Sequence, residues 1–177
     1  MQTKLTKLGL GGSCHWCTEA IFLSLNGVLR VEQGWLSSFA EQDWLSEGII
    51  VHFDSTVISL KDLVEIHLHT HSSTSNHSMR DKYRSAVYGF SVEQTKHAEE
   101  AIQGLQINFD NKIITKAWLM NAFEESREKI QNYYYKNPNK LFCKNIINPK
   151  LSLLLNKYKH KVNLQKIPEE VANLVQS

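Results

Sequence analysis

KLTKLGLGGSCHWCTEAIFLSL, residues 4–25, reads as a strand, a glycine turn and a helix in immediate succession. Residues 4–11 have the character of a short strand, and the pair Gly11-Gly12 ends it. From Cys14 to Leu25 the apolar residues Trp16, Ala20, Ile21, Phe22 and Leu25 recur at helical spacing, and Asn26-Gly27 is a stop signal. Outward from this unit, VLRVEQGW (28–35) and IIVHFD (49–54) alternate as strands do. Leu60 to Leu68 is periodic enough for a second helix, and the Ser-, Thr-, Asn- and His-rich stretch 70–80 reads as a loop. RSAVYGF (84–90) predicts a strand, Val92 to Gln103 a helix, KIITKAWL (112–119) a strand and Phe123 to Tyr135 a helix. Strands and helices in this order predict an α+β protein. The expected form is a two-layer sandwich, a ferredoxin-like α/β plait with a mixed antiparallel sheet carrying helices on one side. After Lys136-Asn137-Pro138 the composition shifts. Residues 1–143 are therefore expected to form the main domain, and 144–177 an irregular or helical tail packed on it.

The 177 residues suit a single domain, and 42% apolar with 21% charged residues is ordinary for a chain that buries a real core. A net charge of +2 gives no strong field, so charge implies neither nucleic acid nor a membrane as partner. The N-terminus lacks the apolar run of a secretory signal, and no stretch has the ~18 apolar residues of a membrane span, so a cytoplasmic location is expected. In that compartment structural disulfides are rare, and three cysteines point to reactivity, metal binding or plain burial.

A cysteine at the start of a helix is placed for reactivity, because unpaired N–H groups and the positive end of the dipole stabilise the thiolate, which is the nucleophile. Cys14 occupies that place, with Gly11 and Gly12 before it and Trp16 as a flat apolar surface beside it. Cys14-His15-Trp16-Cys17 also spells C-x-x-C, which leaves two other possibilities open. One is a thiol–disulfide oxidoreductase. It is weakened because Pro138, Pro149 and Pro168, the only prolines, lie beyond the expected core strands, where no cis-proline can face the pair. The other is zinc held by Cys14 and Cys17 with His67, His69 or His71, for which the ligand spacing is only loosely met. Those histidines are expected instead to be partly exposed or to bind backbone.

Residues 11–22, GGSCHWCTEAIF, resemble the active-site segment of the A-type peptide methionine sulfoxide reductases, whose hallmark is Gly-Cys-Phe-Trp. GVLRVEQGW (27–35) is similar to the strand that follows in that family, and residues 46–71 to its Glu-bearing strand and next helix. KYRSAVY (82–88) matches the family run Gln-Tyr-Arg-Ser-Ala-Ile-Tyr, and YYYKNPNKLFC (133–143) the Lys-Asn-Pro…Cys segment. The resemblance spans about residues 5–143 with the motifs in order. It implies an α+β plait and reduction of methionine S-sulfoxide, free or in peptides, with no cofactor beyond a thioredoxin-like reductant. Cys14 falls on the nucleophile, which becomes a sulfenic acid as methionine leaves. Glu47 falls on the acid that protonates the sulfoxide oxygen, Tyr83 on a tyrosine bonding that oxygen, and Trp16 on the aromatic wall for the substrate methyl. Cys143 falls on a resolving cysteine that closes a disulfide for thioredoxin.

The chain departs from the pattern around this centre. Ser13 replaces a glycine, and His15 replaces the phenylalanine of the methyl-binding wall, where a protonated His15 is expected to depress the Cys14 thiol further. The connection between Trp35 and Glu47 is short and lacks the family's second oxygen-binding tyrosine; Trp44, within it, is no equivalent. HSMRDK (77–82) lacks the usual Gly-Asn-Asp, with Ser78 at the place of the aspartate, and no second recycling cysteine follows Cys143. A divergent, active reductase with an impaired rate or altered substrate is the expectation, with a non-catalytic module that binds oxidised methionine as the alternative.

Overall fold

A computed structural model describes residues 4–174. Its strands are β1 (Leu5–Gly11), β2 (Val28–Ser37), β3 (Ser46–Asp54), β4 (Ala86–Gly89), β5 (Lys116–Leu119) and β6 (Ala122–Glu125). Its helices are α1 (His15–Leu23), α2 (Leu60–Thr70), α3 (Val92–Leu105), α4 (Tyr133–Lys136), α5 (Asn148–Tyr158) and α6 (Glu169–Leu174). The strands form one sheet in the order β5-β4-β1-β3-β2-β6, antiparallel except for the β4–β5 pair, so the mixed sheet is as expected.

The connection between the edge strands fixes the shape of the sheet. β5 and β6 lie at opposite edges, yet only Met120 and Asn121 separate them. Laid flat, the edges of six strands are about 24 Å apart, whereas this linker reaches about 10 Å. The sheet therefore curls. Consecutive amides show the closure: Met120 N–H donates to the Gly89 carbonyl at 2.8 Å and Asn121 N–H to the Ser37 carbonyl at 3.0 Å. The concave side buries a small core of Leu36, Ile50, Ala86 and Tyr88, with Phe90, Trp118, Met120 and Phe123 packed around it. The convex side carries α1, α2, α3 and α5 over the main core, to which Leu8, Leu10, Ile49, Val51 and Val87 contribute from the sheet. Ile147, Leu151, Leu154, Leu155 and Val171 belong to this same core.

The first unit follows the sequence closely. The notable deviation lies after β5, where a helix was expected from Phe123 to Tyr135. Instead, residues 122–125 pair antiparallel with β2, a 3₁₀ turn spans Glu128–Ile130, and only Tyr133–Lys136 is α-helical. Two causes are visible. The β2 edge accepts a strand partner, and Asn132 adopts a left-handed φ of 54°, which no continuous helix tolerates. The strand expected over 112–119 shortens to β5 because Ile114 N–H is taken by the Ser73 carbonyl at 2.8 Å. α2 begins with a capping box, in which Ser59 and Asp62 bond each other's backbone N–H.

Candidate active site

Cys14 is the N-cap of α1, partly exposed, with no side chain capping the helix ahead of it. Its thiol is lowered to about 7. The largest cause is a hydrogen bond from the Cys17 thiol; burial opposes it, and the Trp16 and Cys17 amides add to it. Glu47 pushes the other way, which places its charge near the sulfur. Cys17 is driven far above the ordinary thiol range, first by that same hydrogen bond and then by burial, so it stays protonated and serves as donor. His15 Nδ1 lies 3.0 Å from the Gly34 carbonyl and so carries a proton, the ring packs edge-on against Trp35 at 5.3 Å, and Nε2 faces Glu47.

Glu47, the second residue of β3, is 8% exposed. Its Oε2 accepts the His15 backbone N–H at 3.2 Å and faces His15 Nε2 at 3.8 Å, while Oε1 lies 3.4 Å from Lys82 Nζ. Its own N–H donates to the Lys82 carbonyl at 2.9 Å, which clamps residues 80–85 to β3. Tyr83 is half-buried, with the Lys82 ammonium 5.1 Å from the centre of its ring. Lys82 is raised above its ordinary value, first by the Tyr83 side chain and then by the Glu47 charge.

Trp16 stacks face to face on Tyr133 at 3.9 Å and 7° and meets Phe142 edge-on at 5.5 Å. The rings that pack on Trp16 are thus remote in sequence, while His15 lies 6.4 Å from it. Tyr133 is held by Glu19, a buried carboxylate that accepts from the Asn132 and Tyr133 amides at 2.9 and 3.1 Å and from Gln33 Nε2 at 3.0 Å. Burial raises the Glu19 carboxyl, and these donors oppose that rise. Nothing in the helical periodicity of α1 singled out Glu19, because it occupies a position that pattern treats as polar.

Beneath the turn, the Gly11 carbonyl accepts from His67 Nε2 at 2.8 Å and the Gly12 carbonyl from Arg80 Nη1 at 2.9 Å. Gly12 has a φ of +150°, and a Cβ there meets the His71 ring at 2.5 Å. His71 stacks on His67 at 4.1 Å, and its Nε2 meets Ser85 Oγ at 2.8 Å, which in turn meets Thr115. Burial lowers His67 to about 4 and His71 well below its ordinary value, so both act as neutral rings. At 1% exposure His67 corrects the expectation of a partly exposed residue, though its backbone contact was anticipated. Among the described residues no three His, Cys, Asp or Glu side chains group to hold a metal.

Cys14, Trp16, Glu47 and Tyr83 gather at the end of β1, and Cys143 approaches from beneath, on the side of Cys17. It is 0% exposed, begins a π-helical turn (Cys143–Ile147), and its charge raises Cys17. Trp44 lies elsewhere, over the Arg84 guanidinium at 4.1 Å with its Nε1 donating to the Asp81 carbonyl. Arg84 bonds the Tyr88 hydroxyl and the Trp44 carbonyl rather than a carboxylate.

A cysteine of lowered pKa at a helix start, with a carboxyl bound to the next amide, defines a thiol-dependent enzyme. The chain belongs to the peptide methionine sulfoxide reductase family, whose model matches residues 6–163. It is 31% identical over 164 residues to "Peptide methionine sulfoxide reductase MsrA" of Acinetobacter baumannii (strain SDF), covering 85% of this chain and 94% of that protein. Against the protein of the same description from Trichodesmium erythraeum identity is 34% over 175 residues, covering 90% and 99%. Among solved structures, reduced Mxr1 from Saccharomyces cerevisiae superposes with a TM-score of 0.68 at 23% identity, covering 79% of this chain and 90% of that one.

Proposed function

We propose that this enzyme reduces the S epimer of methionine sulfoxide through Cys14, with Glu47 as acid and Cys17 as the first resolving thiol. The supporting observation is the bond from the His15 amide to Glu47 Oε2 at 3.2 Å, which ties a carboxyl to the residue after the nucleophile. The Cys14 thiolate attacks the sulfoxide sulfur, Glu47 and Tyr83 hold the oxygen, and Glu47 transfers a proton to it. The sulfoxide S–O bond breaks, methionine leaves, and Cys14 is left as a sulfenic acid. Once Cys14 is a sulfenic acid the bond that held the Cys17 proton is gone; Cys17 then attacks that sulfur, its proton leaving with the sulfenic hydroxyl as water, and a disulfide closes. This absorbs the thiol–disulfide reading of the C-x-x-C pair into the second half of the cycle. Cys143 is a further relay thiol, reached through Cys17. A thioredoxin-type dithiol is the reductant, with no other cofactor. Mxr1 has been solved in complex with Trx2, at a TM-score of 0.59 and 20% identity to this chain.

The catalytic groups lie within residues 1–143, and residues 144–174 support the Cys143 turn. Three free thiols suit a reducing compartment, so we place the enzyme in the cytoplasm. Among the described residues no helix is long and apolar enough to cross a membrane. The test is turnover of each epimer of a methionine sulfoxide peptide and of the free amino acid, with dithiothreitol and with a thioredoxin. S-epimer turnover, lost in Cys14→Ser and cut sharply in Glu47→Gln, is expected; R-epimer turnover alone contradicts the proposal.

A further inference from the structure

We propose that Lys82 is a catalytic residue of this enzyme, its ammonium binding the sulfoxide oxygen between Glu47 and Tyr83. The inference rests on the site proposed above and adds a group to it. Lys82 stands where the matching family run has glutamine, so it introduces a charge at the oxygen-binding edge. Its Nζ is 3.4 Å from Glu47 Oε1 and 5.1 Å from the Tyr83 ring centre, against the two side chains assigned to the oxygen. Its backbone is fixed as well. The Lys82 carbonyl accepts the Glu47 N–H at 2.9 Å and the Ser46 hydroxyl at 2.8 Å. The lysine side chain is nonetheless 53% exposed, so a ligand reaches the ammonium.

The chemistry calls for such a group. As the thiolate attacks, negative charge builds on the sulfoxide oxygen, and a fixed donor there is worth about 10²–10³ in rate. The connection between β2 and β3, residues 38–45, contains no tyrosine, and its Trp44 indole N–H is spent on the Asp81 carbonyl. Lys82 supplies the missing donor from the opposite side. Its charge is kept at neutral pH, because the Tyr83 side chain and Glu47 both raise it. The proton delivered to the oxygen comes from the acid form of Glu47, taken up from solvent as the sulfoxide binds and the ammonium turns to the oxygen, and Lys82 ends the step protonated as it began.

The experiment is single-turnover methionine formation from an S-sulfoxide peptide by the full chain and by Lys82→Met, Lys82→Gln and Lys82→Arg. Thermal melting and the ultraviolet titration of the Cys14 thiolate are followed in parallel. Lys82→Met and Lys82→Gln are expected to slow the step about 100-fold at saturating substrate, with KM, melting and the thiolate titration unchanged. Lys82→Arg is expected to recover at least a tenth of the native rate. A Lys82→Met rate within threefold of native overturns the inference. So does a loss confined to KM, or one matched by an equal shift of the Cys14 titration. Failure of the native chain itself to turn over the S epimer removes the underlying reaction, and that outcome is distinct from native turnover with an indifferent Lys82.

Discussion

Replacing Cys17 by alanine tests the arrangement of the two thiols most directly. In the folded enzyme the hydrogen bond from Cys17 is the largest influence lowering Cys14 from 9.0 to about 7. At pH 7 about half of Cys14 is therefore thiolate. If the thiol climbed all the way back to its ordinary value, only about 1% would be ionised, a roughly 50-fold loss of nucleophile. The Trp16 and Cys17 amides remain in Cys17→Ala and offset part of that rise, so a loss of about 5- to 50-fold at pH 7 is expected. Two assays read it. The thiolate absorbance near ~240 nm, taken in a Cys143→Ser background, should titrate above pH 8 instead of near 7. Single-turnover methionine formation should fall at pH 7 and recover toward pH 9 as the thiolate is restored. Titration of Cys17→Ala near 7, as in the parent, refutes the assignment of Cys17 as donor. A rate deficit that persists at pH 9 refutes the link from ionisation to rate.

Other outcomes follow from the groups around the turn. His67 is lowered to about 4 in the fold, against 6.5 when unfolded. Below pH 6.5 the unfolded chain gains a proton that the fold refuses, so stability is full above that pH and falls as pH drops toward 4. Urea unfolding at pH 5 and pH 7 should show about 2 kcal/mol lost from this histidine, and His67→Phe should remove that share while the share from His71 remains. Glu19→Ala leaves the partly buried Asn132 and Tyr133 amides and Gln33 without their acceptor and should destabilise the fold by roughly 2 kcal/mol in denaturant titrations. It should also loosen Tyr133 from Trp16, seen as a change in tryptophan emission. Gly12→Ala strains a φ of +150° and drives a methyl into His71, so activity should fall more than tenfold together with a lower melting temperature.

Much of this was legible in the sequence, for physical reasons that also set the limit. The β1–turn–α1 unit was readable because local period and the Gly11-Gly12 break agree, and tertiary packing had nothing to override. The path of residues 122–135 was not readable. Whether Ala122–Glu125 is strand or helix depends on the β2 edge, a partner more than eighty residues away in the chain. Cys14 was singled out by its place at a helix start, and Glu47 by motif order alone. Tyr133 and Glu19 escaped because a ring becomes a wall, and a carboxylate an anchor, only when distant amides and indoles meet them. The partners of His15 were hidden for a related reason: proximity in sequence to Cys14 says nothing of ring direction, and the ring bonds the Gly34 carbonyl on β2 and faces Glu47.

The topology accounts both for where the site forms and for why its missing donor comes from Lys82. β1 lies between β3 and β4 and runs antiparallel to both. Its C-terminal end therefore meets two strand beginnings, with Gly11 opposite Gly48 on one side and Ala86 on the other. Whatever follows β1, precedes Ala86 or opens β3 must share one end of the sheet, and these are Cys14, Tyr83 and Glu47. The β2–β3 connection leaves from that end too, but the curl of the sheet draws it inward. Ser38 Oγ–H donates to the Leu119 carbonyl at 2.7 Å, and Trp44 lies on Arg84. A loop committed to the concave side cannot also reach over Cys14. The segment before β4 faces no such demand, because Arg80 and the Glu47 amide already pin it against the turn. Of its side chains, Lys82 points its charge at Glu47. Shortening one connection thus moves the oxygen's second donor to the neighbouring one. An enzyme lengthened by a tyrosine-bearing β2–β3 loop should accordingly tolerate Lys82→Gln, whereas the native chain should not.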